Sequence, residues 1–212
     1  MLRPGCWIAV FLLLVIGCGS LDGTQAIRLG SEEEFAQTLA KARELSKKPL
    51  EAFIWGDELT EKDRADLRES SKLFRALVSF DPLQFAPHLA LGKIEYALGN
   101  LDEAKKSLEQ GMTLMPERGS RETIIVAGAA RDDLANVALL QGDLNEAEAH
   151  ALDALSLIQG EPSFLATYAA VLLQKGRVKE AQEQIDRALE RQPQNKRALR
   201  IQRLIRASNA SG

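Results

Sequence analysis

Apolar residues recur three and four positions apart along much of this chain, and glycine interrupts the pattern at near-regular intervals. The interruptions share one motif, Gly-x-(Leu/Val)-x-Glu-Ala, at Gly99–Ala104, Gly142–Ala147 and Gly176–Ala181. The last two copies lie 34 residues apart (176 minus 142). A fixed period of that length predicts stacked helix hairpins, since one hairpin cannot bury its apolar face alone. With each glycine at position 15 of a 34-residue unit, the repeats fall at 85–118, 128–161 and 162–195.

Small residues recur inside the units. Position 8 holds Gly92, Ala135 and Ala169, position 20 holds Ala104, Ala147 and Ala181, and position 27 holds Gly111, Ala154 and Ala188. Small groups there let two antiparallel helices approach closely. The glycine at 15 ends the first helix of each pair, because a left-handed residue is unstrained without a Cβ. Pro116 and Pro193 stand at position 32, where the second helix must stop for want of an N–H; the middle unit has Gln159 instead. This spacing resembles the tetratricopeptide repeat. Two aromatic positions of the family pattern are replaced, by His88, Arg131 and Leu165 at 4 and by Glu95, Ala138 and Leu172 at 11. The resemblance implies an all-α fold, a right-handed superhelical stack of antiparallel hairpins.

The flanks extend the pattern. Ser31 with Glu34 forms a capping box for a helix over 31–47, on which Phe35, Leu39 and Ala42 share one face. Thr60 with Asp63 caps a second helix, and Phe74, Leu77 and Pro82 take positions 24, 27 and 32 of an earlier, degenerate unit filling 31–84. The connection 48–59, with Pro49 and Gly56, is longer than a hairpin turn, and its Leu50–Trp55 run reads as core filling or, if exposed, as a binding hot spot. Between the first two motif copies the step is 43 (142 minus 99), an insertion of nine residues at 119–127. Two readings stay open there: one helix of roughly 30 Å from Arg121 to Gln141, capped by Ser120, or a loop followed by an ordinary first helix. Residues 196–212 hold an end helix with Ala198, Ile201, Leu204 and Ile205 on one face, which closes the stack.

The amino terminus has a different character. Arg3 precedes an apolar run, Trp7 to Ile16, too short for the ~20 residues of a membrane-spanning helix and suited to a signal peptide. Val15-Ile16-Gly17-Cys18 then resembles the bacterial lipobox. That resemblance implies cleavage at residue 18 and lipidation of Cys18, with stable membrane attachment through its acyl chains. An ordinary secretory leader cut later, after Ala26, is the alternative. Gly19 is no inner-membrane retention signal, so the implied location is the outer membrane facing the periplasm, or the outer face in a single-membrane bacterium. Residues 19–30 read as a flexible tether reaching about 40 Å.

Cys6 and Cys18 are the two cysteines, and neither falls in the repeats, so no disulfide or thiol chemistry is expected there. His88 and His150 stand far apart, without metal-ligand spacing, and no phosphate loop or nucleophile elbow occurs. The acid pair Asp132-Asp133 reads as helix-surface charge. No cofactor and no enzyme activity are expected; a hydrolytic site in 31–84 would have to work without histidine or cysteine. The net charge of −3, or −4 once Arg3 leaves with the leader, does not suit nucleic acid. The end helix is the exception: Lys196, Arg197, Arg200, Arg203 and Arg206 form either a solvated outer face or a contact for anionic lipid or an acidic partner.

The family resemblance also implies a concave groove that takes a helix or extended segment of a partner protein. Carried over by repeat position, its lining includes Leu89, Lys93, Tyr96, Asp132, Asn136, Leu139, Leu140 and Leu173. Leu89 and Lys93 occupy the positions at which chaperone-binding members of the family carry the lysine and asparagine of a carboxylate clamp, so that clamp is missing. Taken together, these features lead to a lipid-anchored scaffold or assembly factor of the cell envelope, similar in layout to pilus pilotins and to repeat lipoproteins of outer-membrane assembly. An adaptor for peptidoglycan enzymes is the second reading.

Overall fold

The computed structural model describes residues 27–116 and 119–210. The leader, Cys18 and most of the tether lie outside these residues. Among the described residues nine helices and no strand occur. They form four hairpins, α1(Glu32–Trp55)–α2(Glu61–Phe80), α3(Phe85–Leu98)–α4(Leu101–Thr113), α5(Arg121–Gln141)–α6(Leu144–Leu157) and α7(Pro162–Gln174)–α8(Val178–Arg191). A final helix, α9(Lys196–Ala210), packs on the last hairpin. No helix among the described residues is long and apolar enough to cross a membrane.

The repeat glycines end their helices in the left-handed conformation, with φ of 85° at Gly99, 84° at Gly142 and 76° at Gly176. Each is tied by paired backbone bonds, such as Gly99 N–H to Tyr96 O at 3.0 Å and Asn100 N–H to Glu95 O at 2.9 Å. The small positions are set by contact. A Cβ on Gly92 would lie 2.6 Å from the Leu108 side chain, and one on Gly111 2.5 Å from Leu89. The alanines at the equivalent places in the later repeats are wholly buried. The core runs through the stack in successive clusters, from Phe35, Leu67 and Phe74 at one end to Leu165, Ile185 and Ile205 at the other.

The N-terminal hairpin departs from the sequence expectation. The helix expected over 31–47 continues through Pro49 to Trp55, and the connection shrinks to Gly56–Thr60. A proline inside a helix costs ~3 kcal/mol or more. Leu50 and Phe53 beyond it pack, partly buried, onto the first cluster, and full burial of such side chains is worth about 1.5–3 kcal/mol each, so their packing offsets a large part of that cost. Gly56, with φ 76°, then ends α1 as the other glycines end theirs. Gly56, Gly99 and Gly142 are successively 43 residues apart (99 minus 56, 142 minus 99), so the longer step occurs twice. Thr60 and Asp63 form a reciprocal capping box, at 3.1 and 3.0 Å. Ser31 caps Glu34 N–H at 3.2 Å, but the Glu34 carboxylate reaches Gly30 N–H rather than Ser31.

Of the two readings of the insertion, the long helix is the one seen. Ser120 Oγ accepts from Thr123 N–H at 3.3 Å, and α5 runs unbroken to Gln141. At the other end Ala198 and Ile205 are buried as expected, whereas Leu204 is 51% exposed. The α9 amino terminus also reaches across the stack. Lys196 pairs with Asp57, just past α1, at 2.8 Å, and Arg197 pairs with Asp132 of α5 at 3.2 Å.

Candidate functional site

The two overlong helices project side chains that an ordinary repeat lacks. The last turn of α1 presents Ile54 and Trp55, 41% and 44% exposed, and the added first turns of α5 present Ile124, Ile125 and Val126. Ile54 and Ile125 form walls of one hollow of about 210 Å³, completed by Ala129, by Ile158 and Phe164 from the α6–α7 turn and the start of α7, and by six polar residues. Those are Lys93 of α3, Asp132 and Asp133 of α5, Glu161 and Ser163 around the start of α7, and Arg197 of α9. Gly128 lies under this wall: a Cβ there would stand 3.1 Å from Phe164 and 3.2 Å from Ile158. Its missing methyl lets both side chains rest against α5.

The charges are arranged in pairs. Lys93 Nζ donates to Asp133 Oδ2 at 3.1 Å, and Arg197 donates to Asp132 Oδ2 at 3.2 Å and to Thr167 Oγ1 at 2.9 Å. Asn136 donates to the Asp132 backbone carbonyl at 2.6 Å and also to Thr167. Asp132 is 6% exposed, and its Oδ1 is the one buried side-chain oxygen or nitrogen among the described residues with no hydrogen-bond partner. Burial pushes its carboxyl up to about 6, with Arg197 pulling it back and Asp133 adding to the rise. Glu161 precedes α7 but its side chain makes no capping bond.

The eight groove residues expected from the repeat register divide sharply. Lys93 and Asp132 line the hollow. Leu89, Tyr96, Asn136 and Leu139 are buried supports: Leu89 fills the space left by Gly111, and Tyr96 meets Phe53 edge-on at 4.8 Å. The Phe53 contact exists because α1 continues past Pro49 and covers this side of α3. Leu173 is half-buried against the last cluster, and Leu140 is 61% exposed outside the hollow. Asp132 and Asp133 are not surface charges, because α3 and α9 bring a cation to each. Of the basic residues of α9, Lys196 and Arg197 are engaged by Asp57 and Asp132, while Arg200, Arg203 and Arg206 are exposed.

Ile54 belongs to the Leu50–Trp55 run, whose end is exposed; Asp133 reads from sequence as surface charge, and Glu161, Ile125, Ile158 and Phe164 escaped the sequence reading. The available signal was an adjacent acid pair placed mid-helix between the small residues Gly128–Ala130 and Ala135, where a surface face would be polar throughout. His88 is buried, its Nε2 3.0 Å from Pro82 O, and His150 lies half-buried beside Arg131 at 3.2 Å. A second cavity, of about 490 Å³, opens on another face of α5 between Met112, Met115, Ile124 and Leu157.

Two family profiles described as Tetratricopeptide repeat match the chain, over residues 87–118 and 130–205. Among solved structures, the MamA protein is similar with a TM-score of 0.55 and 16% identity, covering 82% of this chain and 84% of its own. TTC0263, a thermophilic TPR protein of Thermus thermophilus, is similar with a TM-score of 0.54 and 20% identity, covering 84% and 92%. At these identities the likeness is one of fold. No curated protein matches the chain by sequence.

Proposed function

We propose that this chain, which belongs by its repeats to the tetratricopeptide-repeat family, is a lipid-anchored docking scaffold of the bacterial cell envelope that receives a segment of a partner protein on its concave face. Repeats of this type generally bind protein or peptide partners. The observation that carries the docking reading is the hollow itself: Ile54 and Ile125 stand exposed on its walls, with polar groups fixed beside them by ion pairs. Buried supports such as Leu89, Tyr96 and Leu139 hold the wall helices in place. What supports anchoring is the sequence Val15-Ile16-Gly17-Cys18 directly after an apolar run. An assembly role is the reading that combines the two, a tethered stack holding a partner near a membrane.

Two measurements test the halves separately. Labelling with radioactive palmitate is expected to mark the native chain and to vanish in Cys18→Ala; label that persists in that variant removes the lipid anchor from the proposal. Crosslinking in intact cells, with a photoreactive residue in place of Ile125, is expected to trap a discrete partner protein. If the same position traps nothing while the protein is present and folded, the docking face is wrongly placed.

A further inference from the structure

We infer that the hollow accepts a lysine side chain, presented by an apolar segment of the partner. The inference rests on the docking function proposed above and names the chemistry of what docks. It comes from counting donors and acceptors. Every cation lining the hollow is already engaged, Lys93 by Asp133 at 3.1 Å and Arg197 by Asp132 Oδ2 at 3.2 Å. Acceptors remain: Asp132 Oδ1 has no partner, and the Glu161 carboxylate has no ion pair or capping bond. Three carboxylates therefore face two cations, and the group that completes the site must bring both N–H donors and positive charge.

Size and shape narrow the choice. A volume of about 210 Å³ lies below the ~300–1,000 Å³ of small-molecule sites and suits a single side chain. The apolar lining, Ile54, Ile125, Ile158 and Phe164, suits an aliphatic stem that ends in a compact charge. An arginine fork prefers both oxygens of one carboxylate; Asp132 Oδ2 is held by Arg197 and Asn136, and a fork spent on Glu161 would leave Asp132 Oδ1 unmet. A lysine ammonium needs only the single free oxygen and can turn a second N–H toward Glu161. A carboxylate, by contrast, would be set against an unpaired buried oxygen and a free Glu161. The site is thus opposite in sign to the carboxylate clamp whose residues are missing at Leu89 and Lys93. Burial lifts the Asp132 carboxyl to about 6 even with Arg197 beside it, in keeping with an oxygen that has no donor.

The test uses the full chain with isotopically labelled isoleucine methyls and capped nonapeptides with leucine and alanine flanks, identical except for lysine, arginine, glutamine or glutamate at the centre. The lysine peptide is expected to shift the Ile54, Ile125 and Ile158 methyls and to bind at least tenfold tighter than the glutamine and glutamate peptides. Glu161→Gln, a change at a half-buried residue that caps nothing, is expected to cut that preference at least threefold. Asp132→Asn is expected to cut it further, and circular dichroism shows whether that variant keeps its helices. Equal binding of the lysine and glutamine peptides, with the three methyls shifted, overturns the lysine inference and leaves the docking face standing. An arginine peptide as tight as the lysine one overturns the single-oxygen argument on which the choice of lysine depends. If no peptide shifts these methyls, both the inference and the docking face fall.

Discussion

Replacing Asp132 by asparagine separates the charge of the buried carboxylate from its shape. Asparagine has the size of the protonated acid, and Arg197 lacks a full counter-charge beside either one. In the native chain burial moves the carboxyl from its ordinary value of ~3.9 to about 6. Between those values the folded protein holds a proton that the unfolded chain has released. The stability tied to this group is therefore complete below about pH 4 and is lost as pH rises to about 6. Two pH units at ~1.4 kcal/mol each amount to about 3 kcal/mol. Native and Asp132→Asn proteins should thus be close in stability near pH 4. The variant should gain on the native chain up to about pH 6 and stay ahead at pH 7, by at most about 3 kcal/mol. Asp63, Glu122, Glu148 and Glu180 are held below the usual carboxylate range and act in the opposite sense at lower pH, but they are common to both proteins and cancel. Urea unfolding followed by circular dichroism at half-unit steps from pH 4 to 7.5 measures the difference. A carbon-13 titration of the Asp132 carboxyl measures its midpoint directly. A difference that stays flat, or a midpoint below 4, would show that Arg197 outweighs burial, and the argument for an unmet acceptor would fail with it.

Two further changes test the stack. Glu95 is 1% exposed and accepts hydrogen bonds from Ser71 of α2, Arg75 of α2 and Asn100 at the start of α4. Glu95→Ala strands those donors and should lower stability by about 3 kcal/mol, less than a fully buried pair because Arg75 is half-exposed; a loss under about 1 kcal/mol in urea unfolding would remove Glu95 as a lock between hairpins. Gly92→Ala places a methyl 2.9 Å from the Leu108 backbone nitrogen, and overpacking of ~1–3 kcal/mol should exceed the helix-propensity gain of ~1 kcal/mol. The melting temperature should fall, and a rise would mean that α3 and α4 can part without cost.

The repeat was legible because its determinants are local. A glycine that must adopt positive φ, as at Gly99, Gly142 and Gly176, and small residues where two helices touch, as at Gly92 and Gly111, are one-residue requirements that sequence spacing exposes. The departures were less legible for two different reasons. Pro49 argued for a break, and only the packing of Leu50 and Phe53 on a distant helix shows why the break is overridden. Gly56 carried the needed signal, since it stands 43 residues before Gly99, but without a Glu-Ala after it the motif passed unnoticed. The hollow lies furthest from sequence, because Lys93, Asp132 and Arg197 come from three helices and meet only in the packed stack. Family register could place residues on a helix face but not say which stay open. Tyr96 lies beneath Phe53, and Asn136 is buried beside Asp132, because the lengthened α1 and returning α9 add material that no regular repeat supplies. The same additions supply Ile54 to the hollow's wall and Arg197 to one of its two ion pairs. The proposed docking face thus lies where the stack departs from a regular repeat, and a substitution there, at Ile54, Ile125 or Glu161, should alter binding while leaving the repeat stack intact.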